Sequence, residues 1–225
     1  MDKYIVVTLK DWNINQFYKA KYNYKKNWFL IKDPKKLTFK YVNSIKPKYI
    51  FFPHWSNKVN SKITQNFDCI CFHETDLPYG RGGSPIQNLI LRNHKTTVIC
   101  ALKMTDILDA GPIYLKRKLR LDGNAQKIFE RASRIIFAMI EVIVNKEISP
   151  KAQKGKVVEF KRLKSNNSEI SKKILSLKDL YDHIRMLDAK SYPSGYINYG
   201  NLRIEFKKAK LNKKSICSSV NIKLI

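Results

Sequence analysis

His73 closes the apolar run Asp68-Cys-Ile-Cys-Phe-His73, and a carboxylate, Asp109, follows thirty-six residues later inside Leu108-Asp-Ala-Gly-Pro112. Imidazole titrates near neutrality, so it can take a proton from an attacking nucleophile. A carboxylate beside it fixes the ring and favours the imidazolium that forms. The pair reads as a general base, His73, oriented by Asp109. Between them lies Leu77-Pro-Tyr-Gly-Arg-Gly-Gly-Ser-Pro85. Its glycines and prolines disfavour regular structure and let a ligand approach the backbone closely.

Two other chemistries draw on the same residues. Cys69, Cys71 and His73 fall at i, i+2 and i+4, one face of a strand, where three ligand-type side chains could hold zinc. Typical zinc sites also take ligands from a turn and a distant element, and His54, His94 and His183 show no such spacing, so no metal is expected. A thiolate at Cys71 activated by His73 would be a nucleophile, but two residues on one strand face send their side chains parallel, not head-on.

A histidine so placed needs a strand whose carboxyl end opens onto a crevice, where open α/β sheets bind ligands. The patterning supplies it. Strands are expected at 4–9, 28–31, 48–53, 68–73, 96–102 and 112–119, and helices at 11–20, 37–45, 61–66, 85–91 and 124–146. The last helix puts Ala125, Ile128, Phe129, Ala132, Ile136, Met139, Ile140 and Ile143 on one face. Alternating strands and helices predict an α/β fold with a Rossmann-like, mostly parallel sheet flanked by helices. Near 150 the texture becomes linker-like, so residues 1–150 are expected to form the catalytic domain and 151–225 a small α+β unit. That unit should hold strands at 157–160, 195–198, 202–206 and 220–225 and a helix at 176–189, with His183 exposed.

At 225 residues and 44% hydrophobic content the chain can bury a full core. No apolar run reaches the roughly 18 residues of a membrane span, and the start lacks the order of a signal peptide, which points to the cytoplasm and no membrane partner. The formal charge of +26 invites a nucleic-acid reading. Against it, 35 Lys and only 9 Arg are scattered through nearly every segment, so a lysine-rich solvated surface is preferred and a nucleic-acid partner is not expected.

In order, Cys71-Phe-His73, Leu77-Pro78, Arg81-Gly82, Pro85-Ile-Gln87 and Leu108-Asp-Ala-Gly111 resemble the linked signature of the folate-dependent formyltransferases, over most of the chain. The resemblance implies the formyltransferase fold and 10-formyltetrahydrofolate as cofactor. It implies His73 and Asp109 as catalytic, with Cys71 standing where the family has asparagine. That asparagine steadies the developing oxyanion, and a thiol is a weak donor; a backbone amide, His54 or Thr75 must replace it, or the chain is a non-catalytic relative. Phe52, Pro53, His54 and Trp55, with backbone from Leu102 to Asp109 that includes Leu108, would line the pterin site. Thr75, Arg81, Gly82, Gly83 and Gln87, with Arg185 and Tyr192 from the carboxy-terminal unit, would meet the substrate. Pro53-His-Trp-Ser56 and Thr75-Asp-Leu-Pro78 look like the bacterial sugar N-formyltransferases, whose substrate is a nucleotide-linked 4-amino-4,6-dideoxy sugar (pseudaminic-acid pathway type). A nucleotide-linked amino sugar is thus the expected partner, for surface glycan synthesis, and a homodimer is left open. The competing branch formylates tRNA, and the short second unit weighs against it.

Overall fold

The computed structural model describes residues 2–20 and 27–225. By its contacts the chain divides into two units. The first gathers Met1–Gly82, Val98–Leu119 and Glu130–Glu159, the second Gly83–Thr97, Arg120–Phe129 and Phe160–Ile225. No helix among the described residues is long and apolar enough to cross a membrane.

The first unit is built on a six-stranded sheet. In chain order it uses β1 (Tyr4–Val7), α1 (Asp11–Ala20), β2 (Trp28–Ile31), α2 (Phe39–Ile45), β3 (Tyr49–Phe52), α3 (Ser61–Asn66) and β4 (Asp68–His73). A short strand, β5 (Tyr79–Gly82), comes next; α4 (Pro85–Leu91) falls in the second unit, and β6 (Thr96–Lys103), β7 (Ile113–Arg120) and α5 (Ala125–Lys146) follow it in sequence. The strand order is β2-β1-β3-β4-β6-β7. The pairs β1–β2, β1–β3 and β3–β4 are parallel, while β4–β6 is antiparallel. Every residue of β1 is buried, the signature of a strand covered on both faces. On one face Ile5, Val7, Ile50, Phe52 and Cys69 pack with Val42 and Ile45 of α2 and Ile63 of α3. All eight residues expected on the inner face of α5 are buried.

This stacking brings the carboxyl ends of β3 and β4 to the same edge, with Phe52 opposite Cys71. β6 returns beside β4 and sets Cys100 opposite His73 and Leu102 opposite Cys71. The turn into β7 is closed by Lys103 N–H donating to Pro112 O at 2.9 Å. Gly111 lies against that turn, and a Cβ there would stand 1.8 Å from Lys103 O. Backbone cannot yield as a side chain can, so Gly111→Ala is expected to destabilise the protein by about 3 kcal/mol or more. Urea denaturation checks this; a loss under about 1 kcal/mol would show that the turn relaxes freely.

Residues 75–82 are not wholly irregular. β5 pairs with β8 (Val158–Phe160), and Val158 N–H donates to Pro78 O at 3.2 Å.

In the second unit, α6 (Leu177–Leu187) starts at Ser176, whose hydroxyl accepts from Asp179 N–H at 3.0 Å. Beyond it, β9 (Gly195–Tyr199), β10 (Leu202–Leu211) and β11 (Ile216–Leu224) form an antiparallel sheet. β10 and β11 run farther than the expected 202–206 and 220–225, because lysine-bearing residues continue the ladder through an irregularity between Lys207 and Lys210. His183 is buried, not exposed as expected, and its Nε2 lies 3.2 Å from Ser168 O.

Candidate functional site

His73 is buried at the end of β4 with both ring nitrogens against oxygen. Nε2 lies 2.7 Å from Gly80 O, and since a carbonyl only accepts, that nitrogen carries a proton. Nδ1 lies 3.5 Å from Asp109 Oδ2. The structure thus brings together the two residues that the sequence pairs across thirty-six positions. Asp109 Oδ2 also accepts from Gly82 N–H at 2.9 Å. Gly80 and Gly82 take φ of 78° and 104°, a region that glycine enters without steric cost. The glycines are therefore needed to turn Gly80 O and Gly82 N–H onto the pair.

Asp109 itself has φ 53°, left-handed for a residue with a Cβ. Gln153 holds that turn. Its Nε2 donates to Asp109 O at 2.7 Å and to Gly111 O at 2.9 Å. Its Oε1 accepts from Arg81 Nη2 at 2.8 Å and Nε at 3.2 Å. Gln153 falls in the linker-like segment, and sequence reasoning misses it. Only its position between two structured segments could signal it.

Cys71 shares the strand face of His73 but does not serve as an anionic group. Its Sγ faces Leu102 O at 3.8 Å, and burial drives the thiol far above the usual range, so the thiolate-nucleophile reading has no support. Thr75 is fully buried and its hydroxyl donates to Gly80 O at 3.3 Å. Among the described residues no group of three or more His, Cys, Asp or Glu could hold a metal ion.

At the end of β3, Pro53 O accepts from Thr8 Oγ1 at 3.1 Å and Asn13 Nδ2 at 3.2 Å, which fixes the turn carrying His54 at φ 50°. His54 Nδ1 stands 3.9 Å from Glu74 Oε1, close enough for an ion pair. Both groups are nevertheless held neutral. Burial, assisted by Lys10, lowers His54 to about 3, and burial, with Asp109 opposing ionisation, raises Glu74 to about 8. The folded state therefore keeps a proton on Glu74 that the unfolded chain releases above about 4.5, so this group costs stability as pH rises toward 8. Glu74→Gln is expected to raise Tm at pH 8, with the gain shrinking as pH falls toward about 5. Melting curves at both values decide; an equal change at each would sink the idea.

Phe52 and Leu102 are enclosed in the core, so only their backbone can face a ligand, whereas Leu108 is 70% exposed. Trp55 packs against the β3 core and on Phe52. Its buried indole Nε1 has no hydrogen-bond partner among the described residues, nor has Asn13 Oδ1. A donor and an acceptor lacking partners beside one turn suit a ring that carries both.

The remaining expected contacts lie in the second unit and hold it together. Gln87 donates to Met186 O at 3.3 Å. Gly83 leaves no room for a Cβ, which would meet Arg162 Cβ at 2.4 Å. Arg185 bonds Asp182 at 2.5 Å, Leu121 O at 2.6 Å and Gly123 O at 2.8 Å. Tyr192 stacks on Phe129 at 5.2 Å.

The family described as methionyl-tRNA formyltransferase, C-terminal domain, matches residues 165–223. A solved structure of a methionyl-tRNA formyltransferase from Clostridium thermocellum is 44% identical, with both chains covered completely and a TM-score of 0.97. The methionyl-tRNA formyltransferase of Malacoplasma penetrans is 27% identical over 158 residues, 66% of this chain and 48% of that protein. The chain spans about half the length of the curated relatives it matches. A 4-N formyltransferase from Francisella tularensis is 18% identical, covers 88% of this chain and 93% of that one at a TM-score of 0.64, and shares the fold alone. The sugar-branch expectation is thereby overturned, and with it the nucleotide-sugar partner and the exclusion of nucleic acid. Length misled: the Clostridium relative is matched end to end, short second unit included.

Proposed function

From the premise that the chain belongs to the formyltransferase family, we propose that it transfers a formyl group from 10-formyltetrahydrofolate to the amino group of methionyl-tRNA. The observation that carries this is the 44% identity to the Clostridium thermocellum enzyme across the whole chain. The charge of +26 fits the same reading, because a polyanion releases counterions on binding lysines wherever they lie along its path.

When bound, 10-formyltetrahydrofolate supplies an electrophilic formyl carbon and a nitrogen leaving group. The orphaned Trp55 Nε1 and Asn13 Oδ1 fit its pterin end, and the exposed Leu108 offers an apolar edge. His73 takes the proton that the attacking amine must shed. In the resting geometry Nε2 holds a proton toward Gly80 O, so before the base can act the ring must leave that carbonyl and carry its one proton on Nδ1, toward Asp109, with Nε2 left bare to accept from the amine. Asp109 keeps the ring aligned through the exchange. Of the donors weighed for the asparagine's role, Cys71 faces Leu102 O and Thr75 faces Gly80 O. His54, held neutral at the neighbouring strand end, remains as a side-chain donor alongside backbone N–H groups. Arg81, anchored on Gln153, would meet a phosphate of the tRNA, as its forked guanidinium suits.

The test is purified protein with 10-formyltetrahydrofolate and charged initiator tRNA, followed by mass spectrometry of the released amino acid. Formyl-methionine is expected, with binding that weakens steeply between about 50 and 200 mM salt. No formyl-methionine from a folded protein would overturn the reading.

A further inference from the structure

We propose that Gln153 is the positioning residue of this site, setting the Asp109 carboxylate against His73 while separately anchoring Arg81. The inference rests on the formyl-transfer reading for its kinetic consequences but not for its geometry.

Four contacts meet at one amide. The NH2 group bridges the carbonyls of Asp109 and Gly111, the residues that flank the tightest part of the turn, and the oxygen receives the Arg81 guanidinium. A left-handed φ of 53° at a residue with a Cβ persists only where surrounding contacts enforce it. Here the enforcing donor is a single side chain from a segment that reads as linker. The Asp109 side chain, thus aimed, meets Gly82 N–H at 2.9 Å and His73 Nδ1 at 3.5 Å. Around His73 stand Asp109 and Gly80 O at its two nitrogens, Cys71 two residues back on the same strand face, and Cys100 opposite it on β6. Of these, Asp109 is the one whose placement Gln153 controls.

The amide's two ends do different work, so two variants separate them. Gln153→Ala removes both. Gln153→Glu keeps an acceptor for Arg81 but turns oxygen toward two carbonyls that only accept. Both should lower kcat between about tenfold and a hundredfold, the scale of a misplaced orienting group. Gln153→Ala should also raise KM as Arg81 is released, whereas Gln153→Glu should leave KM within about twofold. A residue that only stabilised the fold would lower kcat in both variants in proportion to the unfolded fraction, with no such split.

Independent of turnover, the Gly82 amide proton reports the carboxylate through its hydrogen bond. Its NMR resonance should move upfield in both variants while circular dichroism stays unchanged. An unmoved Gly82 resonance, or a KM that rises equally in both variants, overturns the proposal. Wild-type protein without formyl transfer overturns the functional reading instead, and the Gly82 shift still decides the placement.

Discussion

Replacing His73 by asparagine should lower kcat/KM for formyl transfer by about 10³-fold while leaving the protein folded. A positioned general base contributes roughly 10²- to 10⁴-fold, and no second base stands on the same strand face. Asparagine retains an N–H for Gly80 O and fills much of the imidazole's space, so the buried carbonyl that Nε2 now satisfies at 2.7 Å need not be orphaned. An alanine there would add the cost of an unsatisfied buried group, about 1–3 kcal/mol, and blur the two effects. The measurement is initial rate against substrate concentration for both proteins, with circular dichroism confirming the fold. Activity within about tenfold of wild type would remove His73 from the role of base and shift attention to the neutral His54.

Much of this site is legible in the amino-acid sequence alone. The β4 strand ends at His73 as its apolar run predicts, and strand pairing sets Phe52 opposite Cys71, so the segment after β3 necessarily arrives beside it. The pairing with Asp109 is legible only through the motif, since nothing in periodicity tells that a residue thirty-six positions on returns to the same edge. The glycines are legible as breakers but not as a strand, because Tyr79–Gly82 owes its ladder to a partner at Val158–Phe160 far along the chain.

Other misreadings share a cause: a polar residue whose partners are distant in sequence looks solvated. Gln153 sits among lysines and a glycine, and its four contacts lie 42 to 72 residues away. Arg185, expected at a substrate, instead joins Asp182 on its own helix to two carbonyls at Leu121 and Gly123. His183 bonds backbone fifteen residues back. The scattered lysines mislead in the opposite sense. Counterion release needs positive charge along a path, not arginines clustered on one helix, so an even lysine distribution does not exclude a nucleic-acid partner.

Substitutions at Asp109 separate its charge from its backbone. Asparagine tolerates the left-handed region nearly as well as aspartate, so Asp109→Asn should keep φ near 53° and keep an acceptor for Gly82 N–H. What it loses is the negative charge: the one atom that meets Gly82 N–H, Oδ2, also faces His73 Nδ1, and an amide oxygen there steadies a proton on Nδ1, and the imidazolium, less than a carboxylate does. Removal of the carboxylate from a histidine–carboxylate pair has cost about 10⁴-fold in a serine protease. Here, with Nδ1 at 3.5 Å rather than a tight bond, a fall in kcat of about 10²- to 10³-fold is expected. Asp109→Ala should be as slow and also lose about 1 kcal/mol of stability, because alanine brings a Cβ into the left-handed region without a local hydrogen bond. Asp109→Gly removes that Cβ and should regain the stability without regaining rate. If glycine restored activity, the turn and not the carboxylate would be what catalysis needs; if asparagine kept full kcat, His73 would be acting without an anionic partner.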